Sequence, residues 1–157
     1  MSEAHEQINT ALTAYCRGVD RLDADSLRSA FHDDAALEGY GPSDRTVDEF
    51  IEMAMTGLAR AYTATQHRIS NITIEVTDDK ARVESYVMAD HFATEPRRID
   101  TFKGRYVDDF ACREGQWRMV RRRLLRDWSE VTEIGDEMAG VYADSQRDRQ
   151  DPIYSGL

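Results

Sequence analysis

Four runs between residues 64 and 131 decide the fold: ATQHRISNITIEV (64–76), ARVESYVMADHFAT (81–94), IDTFKGRYVDDFAC (99–112) and WRMVRRRLLRDWSEV (117–131). Each is rich in β-branched and aromatic residues, and each alternates apolar with polar side chains over much of its length, the period of a strand. The separators are Thr77-Asp78-Asp79-Lys80, Glu95-Pro96-Arg97-Arg98 and Arg113-Glu114-Gly115-Gln116, all hairpin-like turn signals. Long strands joined by short turns pair with their sequence neighbours, which predicts a bent antiparallel sheet in meander order. The alternation slips between Ile69 and Ile72, so a bulge is expected near Ser70-Asn71.

Upstream of the sheet the apolar period changes to that of a helix. Residues 6–21 place Ile8, Leu12, Tyr15 and Val19 at helical spacing, with Ala11 and Leu22 beside them and Gly18 weakening the last turn. Asp23 is positioned to cap a second, short helix carrying Leu27, Ala30 and Phe31. His32-Asp33-Asp34 reads as a polar turn. A short strand follows from Ala35 to Tyr40 and stops at Gly41-Pro42. Thr46-Val47-Asp48-Glu49 is a capping box opening a helix with Phe50, Ile51, Ala54, Met55 and Leu58 on one side.

Helices followed by an antiparallel sheet make an α+β domain. With the helices across the open side of a curved sheet, the expected shape is a cone-shaped α+β barrel enclosing a pocket. It spans residues 1–131, and residues 132–157 form a polar, irregular tail, either disordered or draped over a neighbouring subunit.

Composition narrows the function. At 157 residues the chain is one ordinary domain, long enough to bury a core without covalent staples. A formal net charge of −10 argues against nucleic acid and against an anionic membrane surface as partners. The two cysteines, Cys16 and Cys112, have no metal-type spacing and imply no disulfide framework. The acidic N-terminus lacks an apolar leader segment, and no run approaches membrane-spanning length, so a soluble cytoplasmic protein is expected. There is no phosphate loop, dinucleotide fingerprint or nucleophile elbow, and the four histidines at 5, 32, 67 and 91 do not pair at helical spacing. No cofactor and no metal are expected.

Candidate chemistry lies in a few residues. Tyr15 and Asp20 stand five apart at the end of the first helix, which is not one ideal helix face. An Asp there is ordinarily solvated or paired with a neighbour such as Arg21. His67 opens the first long strand; a strand histidine is most often structural, but it can take and return a proton near neutral pH. Asp90 and His91 are strand neighbours, so only one of them faces the pocket; their faces are equally apolar, and the pattern does not choose. On the last run, strict alternation puts Arg118, Val120, Arg122, Leu124, Arg126 and Trp128 on one face. Arginines so placed usually form cross-strand ion pairs, here with Asp108, Asp109 or Glu84 available, unless one enters the pocket to hold a substrate oxygen.

Several segments together resemble the SnoaL-like group of the nuclear transport factor two superfamily. They include Ala14-Tyr15-Cys16-Arg17-Gly18-Val19-Asp20, Phe31-His32-Asp33-Asp34-Ala35, Thr65-Gln66-His67, Ala81-Arg82-Val83-Glu84-Ser85-Tyr86, Gly104-Arg105-Tyr106-Val107-Asp108 and Gly115-Gln116-Trp117-Arg118, the last leading to Arg126-Asp127-Trp128. The chain looks most like the branch holding scytalone dehydratase, bile acid 7α-dehydratase and hexachlorocyclohexane dehydrochlorinase, cofactor-free lyases that use an Asp–His pair. That resemblance implies Asp20 and His67 as the pair and Tyr15 as a pocket tyrosine. It also implies Tyr40 as a second tyrosine, Asp90 or His91 on the far side of the substrate, and Arg122 or Arg126 polarising it. The implied activity is a lyase or isomerase acting on a small apolar oxygenated molecule, in a homodimer or homotrimer. The same resemblance leaves open a non-catalytic binding or assembly module, or the small subunit of an aromatic-ring dioxygenase.

Overall fold

The computed structural model describes residues 2–135, 140 and 142–155. Helix α1 (Glu3–Arg21) buries Ile8, Ala11, Leu12, Tyr15, Val19 and Asp20 along one stripe, as the spacing requires. Gly18 is a packing site more than a weak point: a Cβ there would lie 2.6 Å from Leu27, because helix α2 (Ala24–Ser29) crosses against it. Asp23 caps α2 by accepting from the Ser26 amide, as expected.

Strand β1 (Phe31–Glu38) corrects two expectations. Phe31 is not helical and His32-Asp33-Asp34 is not a turn; the strand begins at Phe31 and ends at Glu38, before Gly41-Pro42. Its burial alternates, with Phe31, Ala35 and Leu37 inward, so the polar residues occupy a solvated stretch of strand. A short strand β2 (Arg45–Thr46) leads into helix α3 (Val47–Met53), and the capping box closes reciprocally between Thr46 and Glu49. A π-helical turn over Ala54–Leu58 and helix α4 (Ala59–Ala61) complete the helical side.

The remaining strands are β3 (Ala64–Thr77), β4 (Lys80–Thr94), β5 (Arg97–Arg113) and β6 (Gln116–Glu133). They pair as the antiparallel meander that the turns predict. The whole sheet has six strands in the order β2-β1-β6-β5-β4-β3, and it is mixed, since β1 runs parallel to β6. The sheet curls without closing; β1 shifts register against β6 between Phe31 and Ala36, and among the described residues three further bulges bend it. One is the expected irregularity between Ser70 and Thr73, where Asn71 takes a φ of 49°. The other two leave Val120 and Asp127 of β6 out of register with β5. Gly104 lies at the second of these, where a Cβ would come 2.0 Å from the Leu125 carbonyl oxygen.

The Val120 bulge reverses the inward face of β6. Trp117 and Met119 point to the core, then Arg122 and Leu124 do so, which strict alternation does not allow. The outer face carries ion pairs: Arg82–Asp109, Arg105–Glu84, and Arg121 and Arg123 on Glu38. Such exposed pairs contribute about 0–1 kcal/mol each. After β6 the chain folds back onto its own helices: Tyr154 donates to Asp23, and Arg21 donates to the Gln146 carbonyl. No helix among the described residues is long and apolar enough to cross a membrane.

Candidate functional site

A cavity of about 320 Å³ lies between the concave sheet and the helices, at the lower end of the roughly 300–1,000 Å³ typical of small-molecule sites. Its wall is mostly apolar: Val19 from α1, Phe50 and Met53 from α3, Ala54, Gly57 and Leu58 from the π-turn, Ala89 from β4, Phe102 from β5 and Leu124 from β6. Local i→i+5 winding of this kind recurs at functional sites. Against this wall stand two polar poles.

The first pole is Asp20 with His67. α1 carries Asp20, still helical and 9 % exposed, to the start of β3. Its carboxylate accepts from the Thr65 hydroxyl (2.9 Å), the His67 amide (2.9 Å) and His67 Nδ1 (2.7 Å). An ionised carboxylate can only accept, so Nδ1 carries a proton, and in the neutral form of the ring, which lines the cavity, Nε2 carries the lone pair. Thr65 and His67 share a strand face, a signal present in the sequence through their spacing of two.

His91 joins this pole, its ring edge-on to His67 with centroids 5.4 Å apart. The unbroken alternation of β4 turns Ala81, Val83, Val87, Ala89 and His91 inward. Asp90 therefore points outward, where it accepts from Thr101 (2.6 Å) and pairs with Arg68; its candidacy for the pocket is corrected. His91 Nδ1 meets the Asp100 carbonyl at 3.2 Å, so this nitrogen is the donor. Burial and the neighbouring His67 lower its pKa, keeping the ring neutral with an accepting Nε2. Tyr62, which the sequence reading did not single out, lines the cavity beside His91 and donates to Asp100 at 3.0 Å.

The second pole is phenolic. The Tyr15 and Tyr40 hydroxyls are 3.0 Å apart, with Tyr106 of β5 packed edge-on to Tyr15. Burial raises the pKa of all three, so they remain neutral phenols able to donate. Tyr106 was also missed, although it alternates with Asp108 and Phe110 along an inward face.

Arg122 does not line the cavity. It is fully buried behind the phenols, its guanidinium carbon 4.1 Å from the Tyr15 ring centre and 3.9 Å from that of Tyr106. Asp108, equally buried, holds it through Nε (2.9 Å) and Nη2 (2.6 Å). Burial opposes the charge on Arg122, but Asp108 outweighs it and the pKa is raised. Arg126 is exposed and apart from the cavity, which removes it as a pocket residue. Burial pushes the Cys16 thiol up to about 11, so it is no ready nucleophile. Among the described residues no group of three or more His, Cys, Asp or Glu is placed to hold a metal ion.

Fold and site together define a cone-shaped α+β protein with a histidine–aspartate pair at the wall of an apolar cavity. The family model of the SnoaL-like domain matches residues 1–123, and the chain belongs to that family. A comparison with curated proteins found no match. Among solved structures, a type 2 hexachlorocyclohexane dehydrochlorinase (LinA) is similar with a TM-score of 0.78 and 20 % identity, covering 87 % of this chain and 95 % of the other. A candidate scytalone dehydratase from Novosphingobium aromaticivorans follows at 0.73 and 24 %, covering 89 % and 95 %. A candidate aromatic ring hydroxylase, also from Novosphingobium aromaticivorans, gives 0.73 and 22 %, covering 83 % and 94 %. At these identities the likeness concerns the fold.

Proposed function

We propose that the protein is a lyase of the dehydratase kind, acting by acid–base chemistry on a small, neutral, largely apolar molecule with a carbonyl group. The observation that carries this reading is the 2.7 Å contact of Asp20 with His67 Nδ1 at the wall of an apolar cavity. A histidine with one nitrogen held by a carboxylate offers the other as a base and has its charged form stabilised once it takes a proton. A binding module has no need of that arrangement, and the contact favours the lyase over the binding reading.

In this mechanism His67 Nε2 removes a proton from the carbon next to the carbonyl. The electron pair moves onto the carbonyl oxygen. Tyr15 and Tyr40 spend one hydroxyl proton on each other, which leaves a phenol proton to hold that oxygen. The enolate then expels a hydroxyl from the adjacent carbon as a C=C bond forms, and His67 returns its proton to the departing oxygen, so water leaves with no net proton consumed. His91, neutral and accepting, receives the hydrogen bond of the substrate hydroxyl and orients it. Without a leaving group the same steps give an isomerase, the proton returning at another carbon. Among the described residues the wall carries no Lys or Arg to match a carboxylate or phosphate, which is why the proposed substrate is neutral.

The test is to incubate the protein with two β-hydroxy ketones, scytalone and 3-hydroxy-1-tetralone; loss of water from the second gives the fluorescent 1-naphthol. Elimination from at least one, abolished by His67→Asn, is expected. A His67→Asn protein as active as the wild type would remove the pair from the chemistry.

A further inference from the structure

The segment after β6 returns to the end of the molecule where the two halves of the pair meet. Arg21, next in sequence to Asp20, donates to Ser145 and to the Gln146 carbonyl. Asp23, the cap of α2, accepts from Tyr154 at 2.8 Å. Arg147 Nη1 donates to the Tyr62 carbonyl at 2.8 Å, three residues before Thr65 and five before His67. This strap therefore bridges the segment that carries Asp20 and the segment that carries His67. It lies outside the residues matched by the family.

Arg147 is the unusual member. Its Nε and Nη2 are buried, and among the described residues neither has a hydrogen-bond partner. Leaving a buried donor unpaired is unfavourable, so a purely structural clip would use them or would not be a cation at all. Burial lowers the pKa of this guanidinium, and the nearby Asp20 carboxylate pulls it back up. Burial outweighs that attraction, so the fold holds this charge near Asp20 at a cost.

We infer that Arg147 is a positioning residue for the Asp20–His67 pair, pinning the Tyr62 carbonyl with one nitrogen and holding a positive charge beside the Asp20 carboxylate. The inference rests on the acid–base reading of that pair. The charge draws on the same carboxylate that binds His67 Nδ1–H, so it sets how strongly that hydrogen bond holds the ring. The Tyr62 contact fixes the backbone leading into Thr65 and His67, and with it the Tyr62 ring on the cavity wall.

The test uses the full chain with 15N-labelled histidine, and reads the two ring nitrogens of His67 by long-range 1H–15N correlation with no substrate present. Arg147→Gln keeps a donor for the Tyr62 carbonyl but removes the charge, and is expected to shift the His67 Nδ1 signal. Arg147→Lys is expected to restore it. In an Asp20→Asn background, Arg147→Gln should no longer move the signal, because the charged acceptor is gone. An unshifted Nδ1 signal in Arg147→Gln, a shift that lysine does not reverse, or the same shift in the Asp20→Asn background would each overturn the inference. These readouts need no turnover, so a protein inactive on every substrate yet showing the coupled shifts would sink the lyase and leave Arg147 in its role.

Discussion

Two buried side-chain pairs flank the Tyr15 ring, and they differ in what is left over. Asp20 and His67 use the carboxylate fully and leave one imidazole nitrogen on a cavity wall. Arg122 and Asp108 are sealed, 0 % exposed, with both carboxylate oxygens engaged and tyrosine rings against the guanidinium. A buried pair that keeps a free, titratable atom facing an empty space has the makings of a reagent. A buried pair without one contributes to specifying the fold, and it is costly to break because removing either partner strands a charge.

Each half of that contrast can be attacked separately. The largest effect is expected from Asp20→Asn, which keeps the shape but not the charge and frees the imidazole to take the wrong tautomer. Turnover should fall by about 10³–10⁴-fold, as when the aspartate of a hydrolase triad is amidated, with a urea midpoint near that of the wild type. Equal turnover would make the pair structural, like its neighbour. Arg122→Met is expected to show the reverse balance: stability lower by about 3–5 kcal/mol, measured by urea unfolding, because Asp108 is left buried and unpaired. A well-folded Arg122→Met protein that has lost only turnover would move Arg122 into the chemistry.

The smallest effect concerns pH. The folded pKa of His91 lies below its ordinary value of about 6.5. Between those two values the unfolded chain binds a proton that the folded chain refuses. The contribution of His91 to stability is therefore full above the ordinary value and is lost as pH falls toward the folded one. Wild-type protein should lose more stability between about pH 7.5 and about pH 5.5 than His91→Gln, as read by urea midpoints. Identical slopes would mean that the ring is not held neutral.

Much of this was legible in the sequence where one residue sets one local geometry. The capping box at Thr46 and Glu49, the cap at Asp23 and the bulge near Asn71 each follow from short-range chemistry, and each is present. Asp20 and His67, distant in sequence, were paired through family resemblance, and the fold brings them together. What the sequence concealed depended on parity and on partners. One extra residue at Val120 sends Arg122 inward, and nothing in the run Arg121-Arg122-Arg123 marks it as different from its neighbours. Asp90 and His91 sit on strand faces that are both apolar, and only the side on which the sheet curls around the cavity separates them. His32-Asp33-Asp34 looks like a turn because its strand pairs in parallel with β6, a partner almost ninety residues away that no local pattern reveals.

The central claim is that His67, held by Asp20, removes a proton from carbon. Solvent deuterium exchange into 1-tetralone tests it most directly, because this ketone has an acidic C–H next to its carbonyl and no group to lose. In D2O, mass spectrometry should show deuterium entering that position with wild-type protein, at rates reduced to background in His67→Asn and Asp20→Asn. Bound 1-tetralone that stays undeuterated with wild-type protein, or exchanges equally fast with His67→Asn, would contradict it.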